Sequence, residues 1–374
     1  MQIDIVIVNY HSADHIAQCL ATLGSWQAGT AWLVDNSCDA EQARALHALA
    51  QASPNVRVLV ASENLGFARG CNLAFAQSKA DFLLLLNPDA LVTGAAVLQL
   101  AQTMRLKADL GALSPTIYWN RQRTFVTPPT MAQSPWAECI RVASQANAFV
   151  SKWLARRHLE AMRRIANADT LQRVEFLSGA VLLLRREAVL DAAKRIQASD
   201  SHEVRDDPCL FDPAYFMFFE DSDLSLRLRQ AGWELAVLPS AQAVHEYRQK
   251  AFKAGLMQQS RHTYFRTRFA LFYSFTRRLA WMDSLATRIG VRGNAPDLGD
   301  LAQAGDFENA TQGDGVIAFS PSELMVPAIF RPSGFSCTPF TAHEWELLEP
   351  GRYCAHLRDT SGRHYWVRWT LVKS

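Results

Sequence analysis

The chain has 374 residues, 49% hydrophobic and 20% charged, enough for one large core and a smaller second domain. Its 38 Lys and Arg nearly balance 36 Asp and Glu, and it carries no recognition module, which excludes a nucleic-acid partner. It has no apolar run near the ~20 residues of a membrane span and no basic leader, and its seven scattered cysteines lack a C-x-x-C pair; together these predict a cytoplasmic protein without zinc or disulfides.

Through the first half, short apolar runs alternate with helical periodicity. Residues 3–8, 32–34, 56–60 and 82–86 predict strands, and 14–23, 40–51 and 67–77 predict helices. Continuous apolar strands separated by helices predict an α/β fold, a mostly parallel sheet with helices on both faces. Ligands bind such sheets beyond the carboxyl ends of the strands. Asn9-Tyr10, Asp35-Asn36, Glu63-Asn64 and Asn87-Pro88-Asp89 all follow strands there, which predicts one shared pocket.

Thr93 caps a further helix running to about Arg105, residues 176–189 predict a strand turning into a helix, and ELAVLP at 234–239 predicts a short strand. Between Trp119 and Val174 the pattern loosens into a Pro-rich loop, Thr127 to Pro135, and a basic helical stretch. An insertion of that length (119–174) inside an α/β domain spanning 1–246 predicts a lid or acceptor-binding element. From Tyr247 to Arg292 ten Lys or Arg face one acid, Asp283, so 247–294 predicts a basic, aromatic helical extension. Residues 295–315, with five acids and no base, predict an acidic linker. Alternation at Tyr353, Ala355 and Leu357 and at Tyr365, Val367, Trp369 and Leu371 predicts a hairpin in a small all-β domain, 316–374.

The densest chemical signal is FDPAYFMFFEDSDLSLRLRQAGW at 211–233. Glu220, Asp221 and Asp223 repel one another unless cations, hydroxyls or amides compensate, and a helix start supplies amides and a positive dipole end. With Asn87-Pro88-Asp89 after the strand FLLLL, they point to a site that holds a metal and removes a proton.

These pieces, IVIVNYHSADHIAQCLATL, VDNSCDAE, NLGFARGCNLA, LLLLNPDA, FLSGAVLLLRREA and the 211–233 run followed by P-x-A-x-x-x-H, occur in order over about residues 1–280. In that order the chain resembles a family 2 glycosyltransferase of the GT-A, Rossmann-like fold, in its rhamnosyltransferase-like branch. The resemblance implies inverting transfer of a sugar from a nucleotide-diphosphate donor to an acceptor hydroxyl. It implies that Asp35 contacts the nucleobase, with Asn9 and Arg69 near the nucleoside. Asp89 matches the last acid of a metal-binding D-x-D whose first position here is Asn87, on the donor side. Asp221 matches the catalytic base, with Glu220 beside it in a supporting role, and His245 matches a histidine that completes the shell of a Mg²⁺ or Mn²⁺. The donor it implies is a dTDP- or UDP-sugar, rhamnose first. The acceptor is a saccharide or polyprenyl-diphosphate-linked saccharide of bacterial surface-polysaccharide synthesis.

Alternatives stand beside these roles. A non-catalytic saccharide-binding or scaffolding protein would keep the same fold. Gly179 either lets backbone approach the donor sugar or breaks its strand. Of Glu220 and Asp223, one orients the acceptor while the other caps the helix or pairs with Arg227. The basic helices at 141–164 and 248–278 read either as core, through Phe265, Phe269, Phe272 and Tyr273, or as a peripheral contact with the inner face of the cell membrane. Arg261, Arg266, Arg268, Arg277 and Arg278 carry the membrane reading. Trp366 and Trp369 lie on opposite strand faces, one for the core and one free to stack on a sugar or a partner.

Overall fold

A computed structural model of the chain describes residues 1–24, 26–196, 208–246, 253–273 and 295–372. Its elements begin β1 (Ile3–Asn9), α1 (Ala13–Leu23), β2 (Ala31–Asp35), α2 (Ala40–Ala52), β3 (Val56–Val60), α3 (Gly66–Gln77) and β4 (Phe82–Leu86). Next come β5 (Ala90–Val92), α4 (Gly94–Leu106), β6 (Leu110–Tyr118), α5 (Pro135–Ala146), α6 (Ala148–Ala166), β7 (Gln172–Val174), β8 (Val181–Arg185) and α7 (Arg186–Ala193). After these run α8 (Glu220–Gln230), β9 (Glu234–His245), α9 (Lys253–Arg268), β10 (Asp297–Leu301), α10 (Ala304–Ala310) and β11 (Gly315–Ser320). The chain closes with β12 (Ile329–Phe330), α11 (Ala342–Glu346), β13 (Gly351–Arg358) and β14 (His364–Leu371).

The chain divides into two compact units, Met1–Ile117 with Asp169–His245 and Ala254–Arg268, and Tyr118–Ala168 with the C-terminal residues. The first unit is a mixed α/β sheet flanked by helices, with strand order β3-β2-β1-β4-β8-β6-β9-β5 and β7 beside β9. Its parallel half, β3-β2-β1-β4, is the one expected from sequence, and all seven residues of β1 are buried, as a strand covered on both faces must be. Local caps fix the helices: the Asp39 carboxylate accepts from the amides of Glu41 and Gln42, and the Thr93 hydroxyl accepts from the Ala96 amide.

β8 runs antiparallel to β4, pairing Leu86 with Val181. Its starting residues, Gly179 and Ala180, therefore lie where β4 ends. β9 likewise brings His245 opposite Ala90 of β5. The sequence reading ended this strand at Pro239; it continues to His245. Pro239 falls between the stretch paired with β7, Leu235–Val237, and the stretch paired with β5, Ala243–His245. Proline lacks the N–H that ladder bonding uses, which is why its presence suggested a stop.

The second unit has the five-stranded sheet β10-β14-β13-β11-β12. Trp369 is fully buried among Phe307, Phe340, Trp345 and Tyr353, while Trp366 is half-buried against His356. Both tryptophans are thus used in packing. The acidic stretch expected to be a linker is instead β10 and α10, with β10 parallel to β14. Three apolar residues, Leu298, Leu301 and Phe307, are enough to anchor it, and β10 looks polar because it is an edge strand.

The stretch expected to be an insertion into the catalytic domain groups, over Tyr118–Ala168, with this β-rich unit. Trp119 and Phe125 join the Trp369 core, and Ala155, Leu159 and Met162 of α6 pack with Ala318, Met325 and Phe330. Of the basic extension, 247–252 and 274–294, including Arg277 and Arg278, lie outside the described residues.

Candidate active site

The polar strand ends of the first unit are linked by hydrogen bonds separated by short stretches of backbone. At β1 and β2, Asn9 is paired in register with Asp35, and its Nδ2 donates to Asp35 Oδ1 at 3.0 Å. The same oxygen accepts from the Ser37 amide at 3.0 Å and the Ser37 hydroxyl at 2.6 Å. Gln42 Oε1 accepts from the Ala13 amide at 3.2 Å and from Asn9 at 3.3 Å. Asp35 and Asn9 are buried, and three donors converge on Oδ1 alone, so Oδ2 is the oxygen available for a ligand. Asn9 thus holds the Asp35 carboxylate at the carboxyl end of β2.

Asn36 carries the connection to α3, donating to the Gly66 carbonyl at 2.6 Å. Gly66 has φ +74°, and a Cβ there would sit 2.3 Å from the Phe216 carbonyl oxygen. Only glycine fits that close approach. The Phe67 amide donates to the same carbonyl at 2.8 Å, and Asn72 exchanges two hydrogen bonds with the Phe211 backbone. The NLGFARGCN run is thereby a brace for the loop that precedes α8. Arg69 is exposed and donates to the Pro213 carbonyl at 3.3 Å, which ties it to that loop.

The loop enters α8 through two successive left-handed residues, Phe218 (φ +70°) and Phe219 (φ +64°). For residues with a Cβ this conformation costs roughly 1–2 kcal/mol each. It is held by α9: Ser260 donates to the Met217 carbonyl at 2.6 Å, and the Tyr264 ring lies 5.7 Å from that of Phe219. Strain kept by such bracing is found where backbone aim matters to chemistry.

The aim is that of Glu220 and Asp221. Asp221 accepts from the Ser222 amide at 2.7 Å and from the Gly179 amide. Burial nevertheless pushes its carboxyl up to about 6, against these amides. Glu220 is buried, its Oε2 has no partner among the described residues, and burial with the neighbouring Asp221 charge raises its carboxyl well above the usual range. Burial thus raises both carboxyls of this adjacent pair, and paired carboxyls with displaced titration suit acid–base chemistry. Asp223, two residues on, is entirely different. It is fully buried, bonded to Arg227 Nε at 2.7 Å, and in contact with Arg268 of α9, which also holds Asp212 at 2.8 Å. Of its sequence readings, pairing with Arg227 is the one observed.

Gly179 leads to the third acid. Ala180, its neighbour, accepts from the Asn87 amide at 2.8 Å. The Asn87 side chain approaches His245 Nε2 at 3.4 Å, and His245 Nε2 lies 3.2 Å from Asp89 Oδ1. Asp89 is 46% exposed. Burial acts to raise its carboxyl, but the hydrogen bond and charge of His245, with His15 of α1 adding to them, hold it below the ordinary range. His15 had drawn no attention in the sequence, because nothing local links it to a strand end 74 residues away.

Carboxylate oxygen and imidazole nitrogen suit a hard divalent cation. Among the described residues no group of three or more His, Cys, Asp or Glu gathers to hold a metal. The Asp89–His245 pair thus fits an ion whose remaining ligands are phosphate oxygens and water.

Residues 2–282 match the family described as glycosyltransferase like family 2. The chain belongs to that family. Its sheet is that of the GT-A fold. A curated relative, the N-acetylglucosaminyl-diphospho-decaprenol L-rhamnosyltransferase of Mycobacterium tuberculosis, is 28% identical over 255 residues, covering 64% of this chain and 75% of the relative. Among solved structures, the mannosyltransferase PcManGT from Pyrobaculum calidifontis in complex with GDP-Man and Mn²⁺ is 14% identical (TM-score 0.46; 77% of this chain, 72% of that one). TarS 1–349 of S. aureus is 13% identical (TM-score 0.41; 72% and 74%).

Proposed function

We propose that this family 2 glycosyltransferase is an inverting transferase with Asp221 as general base. The observation that carries the reading is geometric: Asp221 accepts from the Gly179 amide, and the next residue, Ala180, accepts from Asn87 of the Asn87–Asp89–His245 cluster, with the buried Glu220 alongside. An acceptor hydroxyl gives its proton to the Asp221 carboxylate as its oxygen attacks the anomeric carbon. The bond from that carbon to the diphosphate oxygen breaks on the opposite face, so configuration inverts. Glu220, buried beside Asp221 with its carboxyl raised, supports the site by orienting the acceptor or Asp221. Asp35 Oδ2 receives the nucleobase, with Asn9 fixing the carboxylate, while Asn87 and Arg69 lie on the donor side.

Asp89 and His245 would hold a Mg²⁺ or Mn²⁺. When bound, such an ion supplies the positive charge that neutralises a diphosphate leaving group. The donor is a dTDP- or UDP-sugar, rhamnose first, and the acceptor a polyprenyl-diphosphate-linked saccharide at the inner face of a bacterial membrane. The rhamnosyltransferase relative supports both choices. Calorimetric titration of dTDP-rhamnose and UDP-sugars, with and without Mn²⁺, tests the reading. Donor binding is expected to tighten with the ion and to lose that gain in Asp89→Ala. Failure of every nucleotide-sugar to bind would favour a saccharide-binding protein that keeps the fold.

A further inference from the structure

We propose that the exposed face of the α5–α6 hairpin is a docking surface for an anionic lipid bilayer. α6 is amphipathic: Leu154, Ala155, His158, Leu159 and Met162 are buried at helical spacing. The opposite face has a composition unsuited to water alone. Phe149 is 79% exposed and Trp153 45% exposed, and Trp136 of α5 is 73% exposed. Large aromatic rings left in solvent on adjacent helices mark an interaction site. Tryptophan in particular favours the headgroup level of a membrane, where its ring is shielded and its N–H stays wet.

Charge selects the occupant. α6 carries five Lys or Arg and one acid, Glu160. Lys152, Arg156 and Arg157 lie on the same exposed face as Phe149 and Trp153, and among the described residues none of the three takes part in an ion pair. Arg157 instead lies over the Trp153 ring, 5.6 Å from its centroid. Unpaired cations interleaved with exposed aromatics on a helix of low overall hydrophobicity match a headgroup surface bearing negative charge. No described helix is long and apolar enough to cross a bilayer, and the contact proposed for this face is a peripheral one.

The second basic helix lacks this character. In α9, Tyr264 and Phe265 are buried, and Arg268, one of the cations that suggested membrane contact, is consumed by Asp212 and Asp223. Of the two helices with a membrane reading in sequence, the structure favours α6.

The test uses the full chain and sedimentation with phosphatidylcholine vesicles, with and without phosphatidylglycerol. Binding is expected only with the anionic lipid and is expected to fall with salt. The triple reversal Lys152→Glu, Arg156→Glu, Arg157→Glu should weaken it at least about tenfold, since each cation near such a surface contributes substantially. Trp136→Ala with Phe149→Ala and Trp153→Ala should weaken it by a similar factor while leaving the thermal melt unchanged, because these rings are outside the core. A second readout protects against misfolding: brominated lipids should quench the tryptophan fluorescence, and Trp136→Phe with Trp153→Phe should remove most of the quenching while binding persists. Equal binding to neutral vesicles, indifference to the aromatic substitutions, or tighter binding to soluble heparin than to anionic vesicles would overturn the proposal. No transfer is measured, so the outcome is independent of the catalytic reading.

Discussion

Two acids of α8 only two residues apart, Asp221 and Asp223, show how one sequence run serves two purposes. Asp223 is fully buried and held by two arginines, Arg227 and Arg268. Among the described residues no arginine pairs with Asp221; two amides hold it, burial lifts its carboxyl to about 6, and a Glu220 oxygen with no partner among those residues lies alongside. The paired acid ties α8 to α9 and to the loop bearing Asp212. The unpaired one is left able to exchange a proton. Where neighbouring groups satisfy each other the fold gains rigidity, and where they do not, chemistry has room.

That contrast can be broken at its structural end. Asp223→Ala would leave the buried Arg227 guanidinium without its carboxylate and Arg268 with Asp212 alone, and such losses destabilise by about 3–5 kcal/mol. Denaturant unfolding should show it, and an unfolding free energy unchanged from the parent would mean the ion pairs contribute nothing. A smaller effect is expected one layer out, at the brace of the strained loop. Gly66→Ala forces a Cβ against the Phe216 carbonyl at positive φ, so a loss of at least about 1–2 kcal/mol is expected by the same measurement. The smallest effect should come from Arg69→Ala. Its side chain is exposed and its bond is to the Pro213 carbonyl, so unfolding should change by less than about 0.5 kcal/mol. A weaker donor affinity in that variant, read by titration, would give Arg69 its place on the donor side.

Much of this was legible in the chain before any coordinates. Strands of unbroken apolar residues gave the parallel half of the sheet, because strands buried on both faces have no alternation to hide them. The i, i+4 spacing of Asp223 and Arg227 put their pairing among the readings open from sequence. Other parts could not be read locally. β6, with Ser114 and Pro115 inside it, does not resemble a strand, and β5 and β7 are only three residues each. The membership of Trp119, Phe125 and α6 in the C-terminal unit depends on contacts nearly 200 residues apart in sequence. The raised carboxyl of Asp221 also escaped the sequence: a helix start suggested a fully stabilised anion, and only the burial of the Glu220–Asp221 pair reverses the direction.

The sign of that reversal matters for pH. A carboxyl raised in the folded state binds its proton more readily there than in the unfolded chain, so ionising Asp221 removes stability as pH climbs from about 4 through about 6. The base, however, must be ionised to work, so transfer should rise through the same interval and level off above it.

Asp221→Asn tests both halves at once, measured as transfer rate and melting temperature at pH 7.5 and again near pH 4. Sugar transfer should fall by about 10²–10⁴ with donor affinity nearly unchanged, while the variant melts above the parent at the higher pH and level with it at the lower. A variant that kept most of its transfer activity, or that lost stability at neutral pH as Asp223→Ala should, would contradict the assignment of Asp221 as the proton acceptor.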